Sequence, residues 1–243
     1  MLNCSSDLSL SHKYWRIDGP PRPLLTDVLQ VGDAARNAAM DQARECFGRT
    51  RLPDILHHPP EQGASHVHAH WQGQDRDGDG LIDHLAIWAP GGLDTESRTI
   101  LDGITQLRIG KACWGLVPAA QIPCDARLWI SATPFIGPRR VWSKPGKPKK
   151  GEGLGLIDQF WREATNQQDL PPIIEVAAIP RLKKQSLGPW LIGDSRGSGA
   201  PHHAVWGNFA VLFREPPQRD FAFGALSHWG LGAFRPAIAT DLI

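Results

Sequence analysis

Three histidines on alternate residues, His66, His68 and His70, are followed closely by Asp75, Asp77, Asp79, Asp83 and His84. Side chains of a strand point to opposite faces with a period of two, so the spacing predicts three imidazoles on one face and Val67, Ala69 and Trp71 on the other. Leu85, Ile87 and Ala89 repeat the alternation, and the turn-rich stretch Gln72 to Gly80 reads as the tip of a β-hairpin with strands over 64–71 and 84–89. A symmetric ladder would bring His84 near His70. An imidazole titrates near pH 6.5, about where general acid–base catalysis operates, so His66, His68, His70 and His84 are candidate catalytic groups. His68 and His70 head that set and His84 follows. Two other options stand beside it. An HxH pair with His84 and Asp83 suits Zn2+ and a metal-dependent phosphoesterase, and a histidine row can also be hydrogen-bonded scaffold.

The loop matches half of a calcium-binding pattern. Asp75, Asp77 and Asp79 occupy positions one, three and five and Gly80 position six, as in an EF-hand loop, but Ala86 stands where the bidentate Glu of position twelve belongs. Strand-like flanks also exclude the helical pair of an EF-hand. The aspartates, with Asp83, can hold a structural Ca2+ in a hairpin version, or can turn the loop through bonds to their own backbone.

The chain of 243 residues is long enough to bury a full core. It contains no apolar run near twenty residues, so no membrane span is expected, and the polar start argues against a signal peptide and for a cytoplasmic setting. Cys4, Cys46, Cys113 and Cys124 lack ligand or disulfide-frame spacing. Net charge is +1, but residues up to Gly103 hold 9 Lys/Arg against 15 Asp/Glu, and those from Ile104 onward hold 17 against 10. A basic second half is the footprint of a polyanion partner, and some of the ten tryptophans can serve as stacking platforms for bases.

The elements that must carry these groups follow a β-α-β-β-α-β order over residues 1–125: a strand at Lys13 to Ile17, a helix from a Thr26 cap to about Phe47 with Gly48 as stop, the hairpin, and a helix capped by Asp94 or Thr95. That second helix, with Ile100, Ile104 and Leu107 on its apolar side, is expected to end at Gly110, before a strand at Ala112 to Val117. The order is that of the ferredoxin-like fold, which covers one face of an antiparallel sheet with helices and leaves the other for a ligand, often RNA. The less regular region 126–243 reads as a second lobe, giving an α+β chain of tandem ferredoxin-like lobes. Strands are expected at 126–133, 173–179 and 204–213, with a helix over 154–166 that turns Ile157, Phe160 and Trp161 inward. Between Phe135 and Lys150, Arg139, Arg140, Lys144, Lys147, Lys149 and Lys150 occur without an acid, and prolines there argue for an irregular basic loop that meets phosphates. Arg181, Lys183 and Lys184 lie in a second basic loop. Near the end, Gly224, Gly230 and Gly232 accompany His228 and Arg235, and glycines of this kind let backbone N–H groups approach a phosphate chain.

Three segments, HVHAHW with DRDGDGLIDHLAIWAPGG, ISATPFIGPRR and SHWGLGAFRP, together resemble the CRISPR-associated Csb-two family of type I-G (I-U) systems. The likeness runs from about Pro23 to Pro236 and concerns the Cas-six-like half of that family's Cas-five/Cas-six fusion; the Cas-five-like half would precede residue 1. The resemblance implies a protein that binds the CRISPR repeat hairpin and cuts precursor crRNA without a required cofactor, by attack of a ribose 2′-OH that leaves a 2′,3′-cyclic phosphate. It also implies Cas-five-like and other effector subunits as partners, and no membrane. Members vary in where the catalytic histidine sits and some lack activity, so a non-catalytic subunit that caps the crRNA hairpin is the competing role. His57, His58, His202, His203 and His228 complete the candidate histidines.

Overall fold

The computed structural model describes residues 12–48, 52–56, 69–121, 124–140, 142–144, 147–148, 155–167, 170–180, 186–191 and 204–238. The chain divides into two compact units, Met1–Gln121 and Ile122–Ile243. In the first, strand β1 (His12–Asp18) leads to helix α1 (Val28–Phe47), the hairpin β2 (His70–Gln74) and β3 (His84–Trp88), helix α2 (Thr95–Asp102), and a second hairpin, β4 (Gln106–Ile109) and β5 (Ala112–Ala119). The sheet order is β2-β3-β1-β5-β4, and each neighbouring pair is antiparallel. With the added edge strand β4 set aside, this is the ferredoxin-like order, in which β1 and its two flanking crossovers interleave.

Local chemistry accounts for the helices. Val28, Leu29, Val31, Ala35, Ala39 and Ala43 are the buried stripe of α1, and their small size lets the helix lie close to the sheet, so that a Cβ added at Gly73 of β2 would stand 3.2 Å from Val31. Gly48, at φ +79°, ends the helix with its N–H on the Arg44 carbonyl, where a side chain would be strained. Asp94 caps α2 by accepting the Ser97 N–H at 2.6 Å. Trp15, Ile17, Trp71, Leu85, Ile87 and Leu107 form the buried sheet face toward these helices.

Two expectations about this unit change. α2 stops at Asp102, and Leu107 belongs to β4, paired with Trp114 across a turn in which Gly110 has φ +58°. Ile104 and Leu107 are both buried, and three-residue spacing of two apolar groups fits a helix end and a helix-to-strand passage equally well. The central hairpin is antiparallel as expected where it is described, residues 64–68 of the expected strand lying outside the described residues, but β2 continues to Gln74, so residues 72–74 are strand and the turn is confined to the aspartate loop.

The second unit repeats the strand plan, but 214–233, where the second crossover helix would run, holds no α-helix. β6 (Leu128–Ser131) and β7 (Phe135–Arg140) both pair with the long strand β11 (Ala204–Phe213), the register slipping between them, so together they act as one bulged first strand. A small hairpin, β8 (Trp142–Lys144) and β9 (Lys147–Pro148), precedes helix α3 (Leu156–Thr165), strand β10 (Ile173–Ile179), the short helix α4 (Gly188–Leu191), β11 and finally β12 (Phe234–Pro236). The order β10-β11-β6-β12 is again ferredoxin-like, with the segment 214–233 where the second helix would run. Its core is aromatic: Trp129, Phe135, Phe160, Phe209, Phe213, Phe221, Phe223 and Phe234 are buried together. The stretch expected to be irregular from Phe135 is thus partly strand; Pro138 is accommodated because β7 pairs on one side alone, where a missing N–H costs no ladder bond. Within α3, Gln159, Phe160 and Ala164 face the core while Ile157 is 41% exposed, which reverses the expected orientation of Ile157. Among the described residues no helix is long and apolar enough to cross a membrane.

Candidate functional site

The helix-free face of the first sheet carries His12, His70 and His84, and strand register decides which of them meet. His70 is opposite Trp88, and Trp88 is opposite His12, so these three make one row; Gln74, His84 and Arg16 make another. His84 does not lie near His70. Four residues of strand separate the two rows, about 13 Å at the usual rise. A zinc site that shares His70 with His84 and Asp83 is therefore not assembled. His70 is 3% exposed, and its ring lies flat on Trp88, with centroids 3.8 Å apart and planes 4° from parallel. His12, Tyr14, Gln72, Ala86 and Trp88 are buried around it, so this half of the expected ligand face is closed, whereas Arg16, Asp18 and Val117 are open to solvent.

His84 differs from His70 in environment. Its Nδ1 lies 2.8 Å from Oδ1 of Asp83, the two side chains being 17% and 8% exposed. Adjacent residues of a strand face opposite sides, but Asp83 sits just before β3 and escapes that alternation, so its carboxylate turns to the ring of its neighbour. The same oxygen accepts the backbone N–H of Arg76 at 3.1 Å. Burial on its own would raise the Asp83 pKa; the hydrogen bonds from His84 and Arg76, with the charges of His84 and Arg22, outweigh it and hold the carboxyl below the usual range. When Nδ1–H donates to Asp83, the neutral imidazole keeps its lone pair on Nε2, the form a general base needs.

The loop between the strands is built from its own carboxylates. Asp75 accepts from Gly78 N–H at 2.7 Å and Gly80 N–H at 2.9 Å, and Asp79 accepts from Leu81 N–H at 2.8 Å. Burial, helped by the nearby Asp77, pushes the Asp75 carboxyl up despite the Gly80 and Gly78 N–H bonds. Asp75, Asp77 and Asp79 offer ligand oxygens within 4.8 Å of one another and could hold a hard cation; Asp83 is outside that group. Arg76, carried inside the loop, donates its Nε–H to Gln74 Oε1 at 3.0 Å and lies over the Tyr14 ring, 5.3 Å from its centroid.

The remaining candidates are dispersed. His57, His58, His66, His68, His202, His203, Lys149, Lys150, Arg181, Lys183 and Lys184 lie outside the described residues. Arg139 and Arg140 are on β7, Lys144 on β8 and Lys147 on β9. Around the glycine-rich segment the backbone donors are largely committed: Gly230 N–H bonds Ser227, Gly232 N–H bonds Pro134, and Ala233 N–H bonds Thr133 Oγ1. Gly224 and Gly232 have a steric reason as well, since a Cβ at either would collide with the carbonyl oxygen of Ile136 or Phe223. His228 and Arg235 are half-buried beside them. Asp83 and His84 are neighbours in the sequence and stand together among the possible zinc ligands; the approach of Gln74, Tyr14 and Arg16 to the same end of the sheet had no local signal, because it depends on pairing across strands.

No family model matches the sequence, and no curated protein does. Among solved structures, the chain is similar to a Cas6-related protein of Pyrococcus furiosus, with 12% identity, TM-score 0.45, and coverage of 94% of this chain and 99% of that one. A RAMP protein described as binding different RNA substrates gives 12% identity and TM-score 0.44 over 94% and 100% of the two chains, and a CRISPR-associated Cas6 gives 11% and 0.41 over 93% and 98%. The tandem ferredoxin-like assignment stands on the strand orders themselves.

Proposed function

We propose that the chain is an endoribonuclease that binds CRISPR repeat RNA and cuts it by metal-independent attack of a 2′-OH, with His84 as the proton-transfer group. The observation that carries this is the Asp83–His84 pair, an imidazole oriented through Nδ1 on a sheet end where Arg16 is exposed. Two ferredoxin-like lobes, the architecture of many single-strand RNA readers, and the Csb-two resemblance of the segment holding this pair support it. In the reaction the substrate 2′-OH gives its proton to His84 Nε2 as the 2′-oxygen bonds to phosphorus. The bond from phosphorus to the 5′-oxygen then breaks, and that oxygen takes up a proton, leaving a 2′,3′-cyclic phosphate and a 5′-hydroxyl. His66 and His68, which lie outside the described residues, are proposed as further acid–base groups, and the cations of 139–150 and 181–184 as the path for the RNA backbone. The cleaved crRNA then stays bound within a cytoplasmic type I-G assembly that includes a Cas-five-like subunit.

Purified chain, incubated with repeat RNA in EDTA, should cut it at one position, and His84→Ala should slow single-turnover cleavage by about 10²- to 10⁴-fold with affinity kept within a few-fold. Cleavage of RNA carrying a 2′-deoxy group at the scissile position would refute the nucleophile. Tight binding without cutting by the unmodified chain would identify a non-catalytic crRNA subunit.

A further inference from the structure

The reaction calls for a fixed cation at the scissile phosphate, and the aspartate loop holds one. Arg76 is tied to the His84 site at two independent points. Its backbone N–H and the His84 ring share a single acceptor, Oδ1 of Asp83, at 3.1 and 2.8 Å. Its side chain is anchored by Gln74, which is the register partner of His84, through the 3.0 Å bond from Nε–H. The face of the guanidinium is further held over Tyr14 of β1, two residues from Arg16. An arginine fixed at its backbone, at Nε and over an aromatic ring has little rotamer freedom left to lose on binding, and its two terminal nitrogens form a planar fork suited to a phosphate. Of the other cations at this end of the sheet, Arg22 is drawn to Asp77 at 3.8 Å, and Arg16, half exposed and 4.0 Å from Asp18, lacks the anchoring at Nε and over an aromatic ring that Arg76 has.

From this geometry we infer that Arg76 is a catalytic residue of the same reaction, donating two N–H bonds to the non-bridging oxygens of the phosphate that reacts beside His84. The inference rests on the endoribonuclease activity proposed above. It also gives the DRDGDG turn a purpose: Asp75, Asp79 and Asp83 bind the loop's own N–H groups and thereby fix where Arg76 starts. As the 2′-oxygen attacks, negative charge grows on the non-bridging oxygens, and a guanidinium already oriented there lowers the barrier without reorganising. Gln74 is a positioning residue that acts through Arg76.

The test compares Arg76→Ala, Arg76→Lys and His84→Ala in single-turnover cleavage of repeat RNA, alongside repeat affinity, thermal melting and addition of millimolar guanidinium. Arg76→Ala is expected to slow cleavage by about 10²- to 10³-fold, the range for loss of one preorganised donor to a transition-state oxyanion, with affinity changed only a few-fold. Arg76→Lys, which keeps the charge but not the fork, should fall between, and free guanidinium should restore part of the Arg76→Ala rate. If His84→Ala abolishes cleavage while Arg76→Ala cuts within about three-fold of the unmodified chain, well short of what one such donor supplies, the Arg76 assignment is overturned and the His84 mechanism stands. If Arg76→Ala is slow, melts early and is not rescued by guanidinium, Arg76 is only a brace of the loop and the assignment is overturned. A loss at Arg76 with none at His84 keeps the phosphate contact and removes the histidine from the mechanism. An unmodified chain that never cuts repeat RNA overturns both.

Discussion

Gly232→Ala, compared with Gly110→Ala, separates two reasons for a glycine in this chain. Both residues have positive φ, +62° and +58°, so in each the added methyl meets the same left-handed backbone penalty of about 1 to 2 kcal/mol. Gly110 has no atom within 4 Å of the added Cβ, and its cost should end there. At Gly232 the Cβ would collide with the Phe223 carbonyl oxygen, which belongs to a segment held by Phe223 N–H on Gly232 O at 3.0 Å and by Gly232 N–H on Pro134 O at 2.9 Å. Backbone on both sides must move, so overpacking adds roughly 1 to 3 kcal/mol, for a total of about 2 to 5 kcal/mol. Urea unfolding followed by tryptophan fluorescence and by far-ultraviolet circular dichroism measures both variants. Equal destabilisation of the two would refute the packing argument, and a Gly232→Ala chain of normal stability that had lost RNA affinity would return the glycine-rich segment to phosphate binding.

His70→Ala should lower stability by about 2 to 4 kcal/mol, because it empties a buried site against Trp88, while the single-turnover rate of the folded fraction stays within a few-fold; a large rate loss at unchanged stability would place His70 in the chemistry. Asp83→Asn should lose most stability near neutral pH. The folded pKa of Asp83 lies below its unfolded value of about 3.9, so its ionised form contributes fully above that value, and the contribution is lost as pH falls through the folded pKa. The gap between the unmodified chain and Asp83→Asn, measured as urea midpoints from pH 7 to pH 3, should therefore narrow toward acid; a constant gap would mean that the ionised carboxylate is not what stabilises the site.

Local signals mark some helix ends and not others: Thr26 lies inside a short 3-10 turn, and α1 begins after Asp27 without a side-chain cap. Asp94 and Gly48 mark helix ends through groups within three or four residues of them, and the alternation through Leu85 and Ile87 carries the strand of the hairpin without help from elsewhere. The same short-range periodicities mark the elements of the first unit apart from β4, and β6, α3, β10 and β11 of the second, but not β7 or β12. Between such signals the local spacing is ambiguous: Leu107 satisfies helical spacing with Ile104, and its partner Trp114 on β5 claims it for a strand. Register is the larger lesson. The composition of HVHAHW and DRDGDGLIDH lists the groups, but a shift along the ladder decides their neighbours, and that shift is set by packing of Trp71, Leu85 and Ile87 against α1 and α2 and by β1 on the far side of β3. It parts His70 from His84 and leaves one stacked on Trp88 and the other bonded to Asp83. Arg76 stands in sequence between two aspartates with Gln74 two residues away; only the fold brings Tyr14 of β1 and Asp83 from the far side of the loop to it, because those contacts exist once the sheet has formed and not before.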